Sequence, residues 1–320
     1  MLINNLRRTL ISLMLITVAI YSLKAQTYYF DKYDVRDGLG QSKVYCILQD
    51  KGGFLWLGTT IGVSKFDGTT FQNYYSDNGL AENGVKCLLK DSKGNIWMGH
   101  IGGGITRYNG YKFEKIVLKD LEINHDITTI VEDDKGMIWL STVGDGAIRI
   151  ENPSETKINK LVYKQFKGKE TISDFVFAIY KRKNNSLFFI TDLGLKNYNS
   201  QKNTFDFFKP DQMPSYFQIT CMYEDLKSNL WFGTYNGGLY KYEEEKGFIK
   251  IYDAVRDGLA LNWMSTISGD HTGNIWIGTW GGGITVINND KVLENFNDKD
   301  GLYDNKIWNI VEDREGNMLL

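Results

Sequence analysis

The sequence is poor in proline, cysteine and histidine, with three of each among 320 residues. Three cysteines are too few for a disulfide scaffold. The three histidines (His100, His125 and His271) are far apart, and none stands in a paired metal-binding or catalytic spacing. Acidic and basic residues nearly balance, at 39 and 37, so no basic surface for nucleic acid is predicted. We therefore expect no metal, no cofactor and no catalytic residue.

Long apolar runs are also scarce, and the single candidate lies at the N-terminus. Arg7 and Arg8 precede an apolar run over residues 10–23, and a cleavage point follows Ala25. This order predicts a signal peptide over residues 1–25, with export to the periplasm or the cell surface. An uncleaved anchor is the alternative. No second run of comparable length follows, so membrane attachment is expected only through parts C-terminal to this sequence.

Glycine and aromatic residues are abundant, with 33 glycines and 14% aromatics. Most of them belong to a repeat that begins with Asp-x-x-Gly and carries a tryptophan six residues after the aspartate. Seven copies, 41 to 49 residues apart, cover the chain after the leader. Their anchor residues are Trp56, Trp97, Trp139, Phe188, Trp231, Trp276 and Leu319.

Each copy contains four segments of strand character, separated by a type I turn of the form Asp-x-x-Gly and by a glycine-rich turn. Four short strands per repeat are typical of a propeller blade. The sequence predicts an all-β, seven-bladed β-propeller over residues 26–320. The last blade is truncated at the C-terminus, because Leu320 falls in the second strand of copy seven. Residues 30–39 match residues 71–80, so we expect them to supply an outer strand to blade seven.

One position in the first strand of each copy holds a small residue. Cys46, Cys87 and Cys221 occupy it in three copies. We interpret this position as the place where blades approach one another near the central axis. A disulfide between Cys46 and Cys87 is the less favoured alternative.

The repeated string resembles the two-component regulator propeller repeat of bacterial sensors. Asp37-Gly38-Leu39 and Asn78-Gly79-Leu80 carry its first part, and residues 96–99 and 275–279 carry its second. Copy four, over residues 185–191, departs from the repeat and lacks both the tryptophan and the glycine.

The resemblance implies an exported sensor region of a histidine kinase or hybrid two-component receptor, in which a glycan fragment is often the ligand. Output modules of such receptors, downstream of the propeller, are absent from this sequence. The resemblance therefore implies an N-terminal piece of a longer or disrupted receptor, which is not itself an enzyme. Its partners would be an oligosaccharide or other small ligand, and downstream receptor domains or a partner chain.

Ligand contacts are expected where copies break the repeat on the face that carries the turns between second and third strands. Aromatic residues concentrate there in copies five to seven, and flat rings with amides suit sugars or peptides. His100 replaces a repeat threonine at the same turn. The candidate ligand-binding residues are Trp263, Trp280, Tyr235, Trp308, Tyr45, Asn262 and His100. Packing of these rings between blades is the alternative.

Two other functions remain open at this point. Some lyases are seven-bladed propellers, and such an enzyme would group His100 or His125 with Asp145 or Asp192. A protein-interaction scaffold without a small ligand is the second alternative. Asn83, Asn262 and Asn305 share one repeat position, which predicts that they cap backbone groups.

Overall fold

The computed structural model describes residues 29–155, 160–209 and 218–320. The predicted signal peptide lies outside these residues, as do Tyr216 and Phe217 of one inter-blade link. Among the described residues, no helix has the length and apolar character needed to cross a membrane. Residues 32–320 form one unit of six four-stranded antiparallel sheets and one two-stranded sheet. We call the six larger sheets blades 1 to 6, and the small one sheet 7.

Every blade is a meander in which each strand pairs with the next one along the chain. The strands of blades 1 to 3 are β1 (Val44–Gln49), β2 (Leu55–Thr59), β3 (Val63–Phe66), β4 (Phe71–Tyr74), β5 (Val85–Lys90), β6 (Ile96–His100), β7 (Ile105–Tyr108), β8 (Phe113–Ile116), β9 (Ile127–Glu132), β10 (Ile138–Thr142), β11 (Ala147–Ile150) and β12 (Tyr163–Phe166). Those of blades 4 to 6 are β13 (Val176–Lys181), β14 (Leu187–Thr191), β15 (Gly194–Asn199), β16 (Thr204–Phe207), β17 (Ile219–Glu224), β18 (Leu230–Thr234), β19 (Leu239–Glu243), β20 (Gly247–Tyr252), β21 (Met264–Gly269), β22 (Ile275–Thr279), β23 (Ile284–Asn288) and β24 (Lys291–Phe296). Sheet 7 consists of β25 (Val311–Glu312) and β26 (Met318–Leu319). Short 3-10 turns cover Val35–Asp37, Ser76–Asn78 and Asp298–Asp300.

The hydrophobic core is a series of layers between successive blades. Each anchor aromatic from blade 1 to blade 5 lies in the layer between its own blade and the next one. Trp97, for example, is fully buried in a cluster with Ile127 and Ile138 of blade 3. Because each blade buries its face against a neighbour, the repeats stabilise one another and no blade has a core of its own.

The turn aspartate and the anchor tryptophan of a copy are hydrogen-bonded to each other. Asp91 Oδ2 accepts from the indole Nε1 of Trp97 at 2.9 Å, while its Oδ1 accepts from two backbone amides of the turn. Blades 1, 3, 5 and 6 repeat this bond at 2.8–2.9 Å. A buried indole N–H needs such an acceptor, which explains the six-residue spacing. In copy four the side chain of Phe188 has no N–H to satisfy, and the turn residue is Arg182 instead of aspartate.

In blades 1, 2, 5 and 6 the small residue of the first strand pairs with a glycine of the second strand. A Cβ on Gly58 would lie 2.4 Å from Cys46 Sγ and 2.8 Å from the carbonyl oxygen of Val85 in blade 2. Only glycine fits between the two blades there. Cys46, Cys87 and Cys221 are free thiols, so the disulfide alternative is wrong.

The ring closes through the contact that also joins other neighbouring blades. At three junctions, the residue that follows the turn aspartate or its equivalent donates its backbone N–H to a glutamate of the next copy. This glutamate lies at the end of the first strand of that copy. The donors are Ser92, Lys183 and His271, at 2.7–3.1 Å. Arg314 N of sheet 7 donates in the same way to Gln49 Oε1 of blade 1 at 2.9 Å. Sheet 7 therefore occupies the position between blades 6 and 1.

The expected seven four-stranded blades are corrected to six such blades and a two-stranded sheet. The expectation for residues 30–39 is also wrong, because the described residues 29–43 contain no strand. This segment is used by blade 1 instead. The Tyr33 ring packs 5.1 Å from that of Phe66 and 6.0 Å from that of Phe71, and Asn73 Nδ2 donates to the Gly38 carbonyl oxygen at 2.9 Å.

Candidate functional site

The first strand of every blade contains a bulge near its start. In blade 1 the pairing with β2 shifts between Val44 and Cys46, which leaves Tyr45 as the extra residue. Corresponding shifts occur in the other five blades. A bulge re-aims the side chain of its extra residue. This position therefore varies between copies without disturbing the ladder, and it holds Tyr45 in blade 1.

Five aromatic residues form a continuous series of ring contacts on the face of the second-to-third-strand turns. Their ring centroids are 4.4 Å apart for Tyr235–Trp263, 5.5 Å for Trp263–Trp280, 4.7 Å for Trp280–Trp308 and 5.0 Å for Trp308–Tyr45. We call this series the aromatic chain. It runs from blade 5 across blade 6 and sheet 7 to blade 1. Tyr235 is 47% exposed, and the other four side chains are half-buried.

The backbone around Trp280 explains its position. Its N–H donates to the carbonyl oxygen of Trp263 at 3.1 Å, which holds the two tryptophans side by side. In the glycine-rich turn that follows, Gly282 and Gly283 leave no room for a side chain. Gly283 has a φ of +84°, and a Cβ there would lie 2.0 Å from the carbonyl oxygen of Phe296. The tight turn thus fixes Trp280 at the edge of blade 6.

Lysine ammonium groups lie over the aromatic chain. Lys306 Nζ is 4.2 Å from the ring centre of Trp280 and 5.0 Å from that of Trp308. Lys43 Nζ is 4.5 Å from Trp308 and 4.8 Å from Tyr45. These are cation–π contacts. Sequence reasoning missed both lysines, although a signal was present: each stands two residues before a candidate aromatic residue, at one repeat position that Trp263 also occupies.

Asn262 caps the backbone, as do its counterparts in two other copies. Its Oδ1 accepts from Ala254 N at 2.8 Å, and Asn83 and Asn305 accept equivalent bonds at 2.9 and 2.7 Å. The capping prediction is confirmed. Because the side-chain oxygen of Asn262 is already used in this way, only its amide NH₂ group is available to a ligand.

His100 is completely buried and is separate from the aromatic chain. Nε2 lies 2.8 Å from Thr106 Oγ1, and Nδ1 lies 3.2 Å from the carbonyl oxygen of Gly84. Burial lowers the pKa of His100 to about 4, so the ring is neutral at pH 7. A ligand from solvent has no exposed surface of His100 to contact, and we leave it out of the proposed site.

His125 and Asp145 form a pair on blade 3. Nδ1 of His125 lies 2.8 Å from Asp145 Oδ2, and Lys167 Nζ lies 3.3 Å from Oδ1. Burial alone would raise the pKa of Asp145, but hydrogen bonds from His125, from the Asn124 amide and from Lys167 together lower it. The His125 side chain is half exposed. Asp192 instead contacts Ser173. Among the described residues, no three potential metal ligands lie together.

The family described as "Two component regulator propeller" matches residues 38–60 and 79–102. This chain carries two-component regulator propeller repeats. A histidine kinase, P4, of Formosa agariphila is 48% identical over 65 residues. That alignment spans 20% of this chain and only 5% of the kinase.

Solved structures of two kinds share the fold of this propeller. The extracellular domain of a one-component system of B. thetaiotaomicron aligns with a TM-score of 0.73 at 22% identity, over 92% of this chain and 38% of that domain. Virginiamycin B lyase of Staphylococcus aureus aligns with a TM-score of 0.61 at 16% identity, over 79% of this chain and 83% of the enzyme. At these identities the likeness concerns the fold, which serves both a sensor-type receptor and an enzyme.

Proposed function

We propose that this chain is the exported, ligand-sensing propeller of a two-component signalling receptor, and that the aromatic chain binds a glycan or another small ligand. The repeats support the receptor assignment, and so does the similarity of one segment to a histidine kinase. In this proposal the chain itself is not an enzyme. In this proposal the propeller lies on the outer side of the membrane, and its partners are the ligand and downstream receptor domains or a partner chain.

The observation that carries this proposal is the difference between two groups of aromatic residues. The anchor tryptophans recur from blade to blade and are buried between blades, as packing requires. The aromatic chain occurs only in blades 5 and 6, sheet 7 and blade 1, and it retains exposed surface. Half-exposed rings side by side are suited to stacking against the apolar faces of sugar rings.

The test compares Trp280→Ala and Trp263→Ala with Trp97→Ala. We expect each of the first two to weaken oligosaccharide binding by about 1–3 kcal/mol, a usual cost of truncating an aromatic residue at a binding surface. Trp97→Ala should cost about 3–5 kcal/mol of folding stability, because it empties a buried layer. Calorimetric titration against an oligosaccharide panel and thermal melts are run on all three variants. If Trp280→Ala unfolds the protein as severely as Trp97→Ala, the ring is part of the core and the proposed site is wrong.

A lyase-type enzyme is the second candidate, and the pair of His125 and Asp145 favours it. An imidazole held by a buried carboxylate is a common arrangement for a general base. The enzyme hypothesis predicts that the protein degrades a member of the same oligosaccharide panel and that His125→Gln abolishes the degradation. Binding without product formation, unchanged in His125→Gln, supports the sensor.

A further inference from the structure

Two of the lysines at the aromatic chain carry charge that no carboxylate balances. Lys43 and Lys306 are exposed, and neither forms an ion pair within the part of the chain that the structure describes. Lys86 differs, because its Nζ lies 5.6 Å from the Tyr45 ring centre but also 3.0 Å from Asp126 Oδ2. The charge of Lys86 is therefore neutralised, and those of Lys43 and Lys306 are not.

Both unbalanced ammonium groups approach one ring. Lys43 Nζ and Lys306 Nζ lie 4.5 and 5.0 Å from the centre of Trp308. They come from opposite sides of the ring closure, Lys43 from blade 1 and Lys306 from the segment that leads into sheet 7. The nearest acidic residue in the sequence, Asp304, accepts the backbone N–H of Lys306 at 3.0 Å, and this bond orients the loop. Trp308 is thus a flat apolar surface with two ammonium groups over its ring.

This combination selects among sugars. A neutral sugar on Trp308 would use the ring alone and would leave both ammonium groups without a partner. A sugar that carries a carboxylate or a sulfate would use the ring and also accept hydrogen bonds from the lysines. A charge-assisted hydrogen bond is stronger than the cation–π contact of an exposed lysine, so an anion can draw the ammonium group away from the ring.

We propose that the aromatic chain recognises an acidic oligosaccharide, with a sugar ring against Trp308 and its carboxylate or sulfate between Lys43 and Lys306. This inference rests on the proposed function, since it requires that the aromatic chain bind a glycan. It adds the chemical class of the ligand and assigns two residues that determine specificity.

The experiment uses pairs of oligosaccharides that differ only in charge. The probes are β-1,4-linked glucose and glucuronate tetrasaccharides, the corresponding mannose and mannuronate pair, and a sulfated form of each neutral compound. Titration calorimetry is carried out with the 320-residue chain at low and at high salt. We expect the acidic member of at least one pair to bind about tenfold more tightly at low salt, and this advantage to shrink as salt screens the lysines. The uronate and sulfate arms identify which anion is preferred.

Lysine variants test the assignment to these residues. Lys43→Gln and Lys306→Gln should each weaken binding of the acidic probe about two- to fivefold and leave binding of its neutral partner unchanged. Lys86→Gln is the matched control, because its charge is already balanced, and it should have a smaller effect. Equal or tighter binding of the neutral probes overturns this inference and leaves the proposed function standing. Acidic preference that is unchanged in both lysine variants also overturns it, and binding of no probe overturns both proposals.

Discussion

Replacement of His100 by threonine tests how the fold tolerates a buried imidazole. Threonine occupies this position in five other copies, so the backbone accepts it. The partners of the ring set its tautomer: Nδ1 donates to the Gly84 carbonyl oxygen, and Nε2 accepts from the hydroxyl of Thr106. Thr106 Oγ1 in turn accepts from Ala81 N at 2.8 Å. The site is therefore built for a neutral histidine.

The expected magnitude follows from the difference in pKa between the folded and unfolded states. Burial lowers the pKa of His100 from 6.5 to about 4 in the folded protein. Between these values the unfolded chain binds a proton that the folded protein excludes, so stability falls as the pH is lowered. At 1.36 kcal/mol per pH unit, the loss is about 2 kcal/mol at pH 5 and about 3 kcal/mol at pH 4, and it is complete only about one pH unit below the folded pKa.

The assay is urea-induced unfolding, followed by tryptophan fluorescence, at pH 7.5, 6 and 5. We expect the wild-type protein to lose about 2 kcal/mol more than His100→Thr between pH 7.5 and pH 5. Any packing defect in the variant shifts its stability equally at every pH and leaves this difference intact. Equal losses in the two proteins would refute the burial of a neutral imidazole.

His271→Thr is a control for which the pH dependence of stability should have the opposite sign. The hydrogen bond to Glu312, together with the attraction of that carboxylate, raises the pKa of this exposed histidine. Its protonated form therefore stabilises the folded state. That contribution is present below the unfolded pKa of 6.5 and is lost as the pH rises through the folded value. Relative to the wild-type protein, the His271→Thr variant should be less stable to urea at pH 5 and equally stable at pH 9.

Two further substitutions test the packing of the repeat. Asp91→Ala removes the two oxygens that accept from the Trp97 indole and from two turn amides, so it should cost about 1–3 kcal/mol in urea unfolding. Asp91→Asn keeps only one of these oxygens and directs an NH₂ group at the donors of the other, so it should also destabilise the protein, and unchanged stability in both variants would contradict the role of the hydrogen bonds. Gly58→Ala places a methyl group 2.8 Å from a carbonyl oxygen of blade 2 and should also cost about 1–3 kcal/mol. Gly68, which has open space around it and a φ of +98°, provides the comparison: Gly68→Ala meets backbone strain alone.

The blade pattern could be predicted from the sequence because each copy repeats its turn and anchor residues. The constant spacing of Asp91 and Trp97 reflects a hydrogen bond between their side chains in addition to the turn that the aspartate and glycine predict. In copy four, both partners of this hydrogen bond are replaced. The side chain of Phe188 carries no N–H, and the aspartate is absent together with the tryptophan. The joint replacement of both residues in one copy is therefore a sequence signal for their contact, which the turn signature alone did not reveal.

The state of the seventh copy could not be predicted in the same way. Residues 30–39 and 71–80 have similar sequences, but similar sequences form similar strands only where a neighbouring strand is available to pair with each of them. The described residues before β1 form no strand, and their side chains pack on blade 1. The burial of His100 was also beyond the sequence, because it depends on Gly84 and Thr106, which lie on the preceding link and the following strand.

The position of the aromatic chain links the candidate site to the closure of the ring. Other junctions between blades are joined by continuous chain, whereas sheet 7 and blade 1 meet through non-covalent contacts such as Arg314 with Gln49 on one face. On the other face, Tyr45 and Trp308 meet across that junction at 5.0 Å. A ligand held by Trp308 and the lysines would contact both sides at once and would bind the closed ring in preference to an open one. By mass action, a ligand that binds only the closed ring would stabilise it against opening.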